Sequence, residues 1–174
     1  MGVQSIMLLG NPVLRTNCAR VKKFDEPALA ALVANLRDTL EDFRFRCGFG
    51  RGIAAPQIGV AQRVIVTNVD VPTVLINPLI VRHSRTTMTL WDDCFSFPEL
   101  AVKVKRHLTI EVRYQDLEGK RRILKATGAM SELLQHEIDH INGILALDRA
   151  IDIRHIVYRS EIVAERVGNS RRAM

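Results

Sequence analysis

The sequence predicts an α+β fold in which short, mostly antiparallel strands pack around a central helix. Apolar residues recur at helical spacing in two long segments, one starting near residue 27 and one near residue 129. Several short runs rich in β-branched residues lie between these segments, separated by turn residues. Because the strands follow one another without intervening helices, we expect antiparallel pairing. A C-terminal helix completes the predicted order.

The first helix is predicted to start at Pro27, with Asp25 as its cap, and the glycines that follow residue 47 are expected to end it. Asn77 and Pro78 are expected to close the second of four strands, predicted over residues 63–69, 73–76, 108–114 and 121–124.

The second helix is predicted from about residue 129 to 141, with Asn142 and Gly143 at its end. A third helix is predicted from about residue 153 to 167, with Asp152 as its cap. The helix over residues 129–141 is the central one, because it carries the histidine motif described below.

The composition indicates a globular protein that forms a single domain over residues 1–174. Hydrophobic residues make up 47% of the chain and charged residues 25%, which excludes a disordered sequence of low hydrophobicity. No apolar run approaches the roughly 18 residues of a membrane span, and the N-terminus lacks the pattern of a signal peptide. We therefore expect a cytoplasmic protein with no membrane partner, whose three cysteines form no disulfides: Cys18, Cys47 and Cys94.

Basic residues exceed acidic ones, and the formal net charge is +6. Residues 103–125 hold eight Lys or Arg against three acids, and the stretch from Arg154 holds five Arg against two Glu. Such a surplus could attract RNA, ribosomes or acidic partners, but no helix-turn-helix or aromatic-rich signature accompanies it. A solvated basic surface is the favoured interpretation, with no specific nucleic-acid site and at most a transient ribosome contact through the basic C-terminal segment.

The clearest chemical motif is His136-Glu137-Ile138-Asp139-His140, within the second predicted helix. A spacing of four residues sets the two imidazoles one turn apart on one helix face, as in a metal-binding pair. Glu137 follows the first histidine, where it can take a proton from water without binding the metal itself. The motif predicts a metal site with Glu137 as the general base.

A catalytic metal site needs a third protein ligand, and the residues alone leave more than one candidate. A third histidine in the extended metalloprotease pattern is excluded, because its position holds Ala146. Glu161 follows His140 at a separation that suits a thermolysin-like arrangement. Cys94, which lies in a polar, turn-like segment, could instead supply a thiolate.

The chain resembles the peptide deformylases over almost its whole length, through three motifs in the family's order. The first is the glycine-rich segment at residues 50–57, Gly-Arg-Gly-Ile-Ala-Ala-Pro-Gln. The second surrounds Cys94, and the third is Gln135 followed by the histidine motif. Shorter matches lie at residues 10–15 and 76–78. No thermolysin-like enzyme shares the first two motifs, so the resemblance favours Cys94 over Glu161.

The resemblance implies that the protein removes the N-terminal formyl group from formylmethionyl peptides of nascent proteins. It implies a metal held by Cys94, His136 and His140, beside Glu137 as the general base. Fe²⁺ is the implied ion, and Zn²⁺, Co²⁺ or Ni²⁺ are alternative occupants. It assigns the stabilisation of the formyl oxygen to the side-chain amide of Gln57 and the backbone N–H of Phe95.

Substrate contacts are expected from four residues around the same centre: Gly50, Gly52, Glu132 and Leu133. The glycines would let an extended peptide approach the backbone and pair with it like an added strand. Asp92 and Asp139 are candidate acceptors for the second ring N–H of each histidine, with Arg106 as a charge partner.

Two departures from the family pattern stand close to the predicted site. The family's Glu-Gly-Cys-Leu-Ser motif is replaced by residues 92–96, Asp-Asp-Cys-Phe-Ser, so Asp93 and Phe95 flank the thiol. Glu132 stands where the family has an apolar or arginine residue, and a carboxylate there disfavours a methionine side chain unless it meets a cation or solvent. The departures around Cys94 motivate one alternative, a metallo-amidase of the same fold with a diverged N-acyl substrate. A second alternative, a weakly active module that docks on ribosomes, is based on the basic C-terminal segment.

Overall fold

The computed structural model describes residues 2–69 and 71–162. It has two long helices, α1 (Pro27–Cys47) and α2 (Gly128–Ile141). The strands of the described part are β1 (Gly52–Ala54), β2 (Val64–Val69), β3 (Val71–His83), β4 (Thr87–Asp93), β5 (Leu100–His107), β6 (Thr109–Gln115), β7 (Arg121–Thr127) and β8 (Ile156–Tyr158).

The strands form two antiparallel sheets with α2 between them. One sheet has the order β1-β2-β3-β6-β7, and the other has the order β4-β5-β8. Helix α2 contacts β1 and β7 of the first sheet and β5 of the second. The prediction of an α+β fold, with antiparallel sheets around the helix that carries the histidine motif, is confirmed.

Helix α1 follows the prediction except at its cap. It begins at Pro27, whose fixed φ suits a first helical turn. Its N-cap is Glu26, which makes no side-chain capping bond, so the prediction of Asp25 as the cap is wrong. The helix ends at Gly48, whose φ of 74° is readily adopted by glycine. Neither this helix nor any other in the described residues combines the length and apolarity needed to cross a bilayer.

Strand β3 continues past the point where the sequence predicted its end. Asn77 has a φ of 52°, and the pairing with β6 changes register between Ile76 and Leu79. The Asn77 side chain accepts a hydrogen bond from the N–H of Val21 and donates to its carbonyl, both at 2.9 Å. A β-bulge therefore absorbs the Asn-Pro pair, and the strand resumes beyond it.

The C-terminal helix begins later than predicted. Asp152 accepts a hydrogen bond from the N–H of Arg154, but the element it caps is a short 3₁₀ turn, Ile153–His155. Strand β8 follows and pairs with β5, as its β-branched and aromatic residues favour. Helix starts at Arg159, and the predicted part beyond residue 162 lies outside the described residues.

Candidate active site

Helix α2 carries its polar residues inside the protein, and Gln135 anchors it to β5. The residues from Ser131 to Ile141 are all buried. Gln135 Oε1 accepts a hydrogen bond from the backbone N–H of His107 (3.0 Å), and its Nε2 donates to the carbonyl of His107 (2.9 Å). Ser131 Oγ donates to the same carbonyl at 2.8 Å. These bonds hold α2 in register with the neighbouring strand.

Cys94 follows β4 directly and meets both histidines of α2. Its Sγ lies 3.2 Å from Nε2 of His140, which lies 3.1 Å from Nε2 of His136. All three residues are buried. The structure therefore brings together the three expected ligands, whereas Glu161 is exposed and belongs to no potential metal-binding group among the described residues.

The three donor atoms have the chemistry and spacing of a transition-metal site. Lone-pair donors that converge away from water repel one another unless a proton or a cation lies between them. Typical bond lengths to a tetrahedral zinc ion would separate such donors by about 3.3–3.6 Å, close to the observed spacing. A sulfur with two imidazoles suits Zn²⁺, Fe²⁺, Co²⁺ and Ni²⁺ alike. The residues present fit a divalent transition metal.

Asp92 fixes the orientation of His136. Its Oδ1 lies 2.8 Å from Nδ1 of His136, an ion-pair distance at which the ring N–H is not aligned as a hydrogen bond, and His136 is grouped with Cys94 and His140. Its Oδ2 accepts a hydrogen bond from Arg106 (3.0 Å). Burial raises the pKa of Asp92, but the charges and hydrogen bonds of His136 and Arg106 hold it lower, at about 2. Asp92 is therefore ionised at neutral pH.

Asp139 binds two arginines instead of a histidine. It pairs with Arg106 and with Arg149, whose Nη2 lies 2.8 Å from Oδ1. Nδ1 of His140 is buried and has no hydrogen-bond partner in the described residues. Burial lowers the pKa of His140 well below its usual range, which favours the neutral ring that a metal ligand requires. Only one of the two expected carboxylate–histidine contacts is therefore present.

Glu137 lies beside this cluster with an unpartnered carboxylate oxygen. The residue is 3% exposed, and its Oε2 is buried without a hydrogen-bond partner in the part of the chain that is described. Burial raises the pKa of Glu137 to about 7, within the range suited to a general base. A Cβ at Gly52 would lie 2.7 Å from Oε1 of Glu137, so the glycine gives the carboxylate its room.

Two hydrogen-bond donors lie next to the thiol. Gln57 Oε1 accepts a hydrogen bond from the N–H of Ala54 (2.9 Å), which fixes the amide so that Nε2 lies 3.6 Å from Sγ of Cys94. The backbone N–H of Phe95 donates to no acceptor among the described residues. Gln57 Nε2 donates one N–H to Sγ and has a second, and the N–H of Phe95 is free, so both groups can donate to an oxygen beside the candidate metal ligands.

The ring of Phe95 explains the glycine at position 50. The ring stacks on Phe43 with centroids 3.7 Å apart and meets Phe49 edge-on. Gly50 has a φ of 120°, and a Cβ there would lie 2.4 Å from Cζ of Phe95. A side chain at this position would therefore displace the aromatic cluster.

Cys94, His136, Glu137, Gln57 and Phe95 line one cleft of about 350 Å³. Strand β1 borders the cleft through Gly52 and is an edge strand of its sheet, since β2 is its one partner within residues 2–69 and 71–162. An extended peptide can add to such an edge through backbone hydrogen bonds. The wall also includes the two remaining expected substrate contacts, Glu132 and Leu133.

Glu132 is buried in the cleft wall and pairs with Arg51. Arg51 also donates to the carbonyl of Ala129 at 3.0 Å. The carboxylate thus meets the cation that its burial requires. Sequence reasoning had not identified Arg51 as its partner, although the residue lies within the glycine-rich motif.

Asp93 pairs with a residue that sequence reasoning missed. Arg159 Nη2 lies 3.2 Å from Oδ2 of Asp93, and its guanidinium carbon lies 3.4 Å from the ring centroid of Phe49. Asp93 and Phe49 both line the cleft. The start of the C-terminal helix is therefore tied to the rim of the site. No local sequence signal marks a pairing between residues so far apart in the chain.

Comparison with known proteins identifies relatives of this chain. The family model described as Polypeptide deformylase matches residues 3–155. The peptide deformylase of Desulforudis audaxviator is 41% identical over 155 residues, which cover 88% of this chain and 97% of the relative. The crystal structure of peptide deformylase from Thermotoga maritima is 34% identical, with a TM-score of 0.81 over 87% of this chain and 100% of that one. A Met-Ala-Ser bound class I type b peptide deformylase from Acinetobacter baumannii is 27% identical, with a TM-score of 0.78 over 84% and 98% of the two chains.

Proposed function

This chain belongs to the peptide deformylase family of metal-dependent hydrolases, which act on formylated nascent peptides, and we propose that Cys94, His136 and His140 hold its metal. The observation that carries the proposal is the convergence of these three donors beside the buried, unpartnered carboxylate of Glu137. The reaction is the release of formate from a formylmethionyl peptide.

Glu137 is the proposed proton carrier. A divalent cation, when bound, supplies Lewis acidity that lowers the pKa of water and polarises the formyl carbonyl. The free oxygen of Glu137 takes the proton from the attacking water and then delivers it to the leaving peptide nitrogen. Its pKa of about 7 suits both transfers, because the carboxyl group must alternate between its two protonation states.

Gln57 and Phe95 are the proposed donors to the formyl oxygen. The bond from Ala54 to Gln57 Oε1 orients the amide, and Nε2, which donates one N–H to Sγ of Cys94, keeps a second N–H for the formyl oxygen. The N–H of Phe95 adds a second donor in a region largely shielded from water. Each such donor contributes about 3–4 kcal/mol to lowering the barrier in comparable hydrolases. The edge of β1 positions the peptide, since its backbone can pair with the substrate.

The decisive experiment compares wild type with Glu137→Gln, both loaded with Fe²⁺ without oxygen, on formyl-Met-Ala-Ser. We expect formate release to fall by about 10²–10⁴-fold in the variant, with metal content unchanged. Equal turnover by the two proteins would exclude Glu137 as the proton carrier. Absence of formate release by the wild type would exclude the proposed function itself.

Fe²⁺ is the proposed resident metal, with Zn²⁺, Co²⁺ and Ni²⁺ as alternative occupants. The support is the donor set of one sulfur and two imidazoles, which accepts all four ions, together with the family's chemistry. Metal analysis after anaerobic purification, followed by turnover measurements on protein reloaded with each ion, tests the assignment. Zinc in the anaerobic preparation and higher turnover with zinc would contradict it.

We further propose that residues 1–174 act as one cytoplasmic catalytic domain, which contacts ribosomes transiently through its basic C-terminal segment. Two arginines of that segment already pair within the chain, Arg154 with Asp152 and Arg159 with Asp93. The proposed contact therefore depends on the residues after 162. Cosedimentation with ribosomes, compared between the full chain and a chain ending at 162, tests this idea, and equal cosedimentation would contradict it.

A further inference from the structure

Arg51 and Glu132 form an ion pair in the wall of the cleft that Cys94, His136 and Glu137 also line. Glu132 lies one helical turn before His136 on α2, and its carboxylate is within 4.8 Å of side-chain atoms of Asp92 and His136. Glu132, Arg51 and Glu137 line the same cleft. We therefore expect the side chain nearest to a reacting carbonyl beside Glu137 to come close to Glu132.

The pair keeps hydrogen-bonding capacity for a ligand. Glu132 is 4% exposed, and its Oε2 accepts from Nη2 of Arg51. Its Oε1 accepts no hydrogen bond within the described residues, although it could accept two. Arg51 uses Nη1 for the carbonyl of Ala129, and its side chain is 43% exposed, so its remaining N–H groups are accessible. A carboxylate oxygen and guanidinium N–H groups are thus presented together.

We propose that Arg51 and Glu132 determine side-chain specificity, so that this enzyme accepts a neutral, hydrogen-bonding first residue as well as methionine. This inference rests on the proposed deformylase function. A glutamine side chain is nearly isosteric with methionine; its amide nitrogen can donate to Glu132 and its oxygen can accept from Arg51. Methionine is accommodated too, because its sulfur is a weak acceptor for Arg51 and its stem packs on Leu133 in the same wall.

An anionic side chain fits this wall less well than a neutral amide, because it would approach the carboxylates of Asp92, Glu132 and Glu137. A cationic side chain would have to displace Arg51 from Glu132 to gain the same carboxylate. A purely apolar side chain would cover the free oxygen of Glu132 without offering it a hydrogen-bond donor. Neutral groups that both donate and accept are therefore favoured.

The test measures formate release from formyl-Met-Ala-Ser and formyl-Gln-Ala-Ser. The double variant Arg51→Met/Glu132→Leu removes both polar groups, and Arg46→Met/Asp42→Leu removes a comparable ion pair on the exposed face of α1 as a matched control. We expect the ratio of kcat/KM for the Met peptide over the Gln peptide to rise at least about tenfold in the double variant and to stay constant in the control. The single variant Glu132→Gln, which preserves volume, should raise the ratio less.

An unchanged ratio in both the double variant and Glu132→Gln would overturn the proposal. If the wild type released formate from neither peptide, the deformylase function itself would be rejected. Calorimetric binding of the products Met-Ala-Ser and Gln-Ala-Ser then still tests the pocket without turnover. Equal affinity of the wild type and the double variant for Gln-Ala-Ser would count against the proposed role of Arg51 and Glu132.

Discussion

The carboxylate of Asp92 lies 2.8 Å from Nδ1 of His136 and fixes the ring that faces the thiol. The same carboxylate accepts a hydrogen bond from the buried Arg106. One residue therefore connects the proposed metal ligands with the charged network that joins α2 to β5. Its neighbour Asp93 contacts neither of these groups but pairs with Arg159.

Replacing Asp92 with Asn is expected to weaken metal binding by about 10–100-fold, because His136 loses its charged acceptor. Competition with a chromophoric chelator measures this affinity. Asp93→Asn is the matched control, since it removes a carboxylate one residue away that does not contact the histidine. Equal affinities for the two variants would show that the contact does not support the metal.

Replacing Cys94 with Ser is expected to lower metal affinity by more than about 100-fold, because a serine hydroxyl stays protonated and binds soft metals poorly. This effect should exceed that of Asp92→Asn, which removes a residue that contacts a ligand and not a ligand itself. Cys47→Ser is the control, because Cys47 is exposed and lies at the end of α1. Metal content after dialysis against a weak chelator distinguishes the two. Full retention of metal by the Cys94 variant would exclude the thiol as a ligand.

Replacing Gly52 with Ala is expected to reduce kcat by about 10–100-fold, since the new methyl group would displace the Glu137 carboxylate. Metal content should not change, because the three ligands are not touched. Gly2→Ala is a suitable control, because a Cβ at that position meets no atom within 4 Å. Steady-state kinetics with formyl-Met-Ala-Ser test the expectation, and wild-type kcat in the Gly52 variant would refute it.

The ionised carboxylate of Asp148 is expected to stabilise the fold at neutral pH and to lose this effect as the pH becomes acidic. Burial raises its pKa, but the N–H of Leu145 and the charge of Arg15 lower it overall. A carboxyl group with a depressed folded-state pKa stabilises the protein above its unfolded pKa near 4, and that stability is lost as the pH falls through the folded value. Asp148→Asn should therefore reduce the free energy of unfolding at pH 7 and have a smaller effect at pH 3. Urea titrations of the wild type and the variant at pH 7 and pH 3 measure these free energies of unfolding. An equal loss at the two pH values would contradict the prediction.

The features that sequence predicted best depend on local spacing. The histidine motif and the bounds of α2 follow from a helical repeat and from the Asn-Gly pair that ends the helix, where Gly143 has a φ of 73°. The position of Cys94 beside His136 could not be derived in this way, because it depends on how the second sheet packs against α2. Only the order of three motifs along the chain indicated it.

The second sheet was missed because its charges suggested a solvated surface. Strand β5 carries Lys103, Lys105 and Arg106 among its residues, and the segment was interpreted as a basic face. Arg106, which the family resemblance had suggested as a charge partner of Asp92 and Asp139, is 4% exposed and pairs with both. The strand that carries it was not predicted, because burial of a cation by carboxylates from distant parts of the chain leaves no periodic signal.

Arg159 lies just beyond the residues 3–155 that match the family model, yet it reaches Asp93 and Phe49 at the rim of the cleft. The chemical centre is thus built within the shared span, while part of its entrance is supplied from outside it. An inhibitor that binds only the three proposed metal ligands contacts residues within that span. One that also engages the Arg159 guanidinium gains a contact from outside it, at the mouth of the cleft and away from the reacting groups.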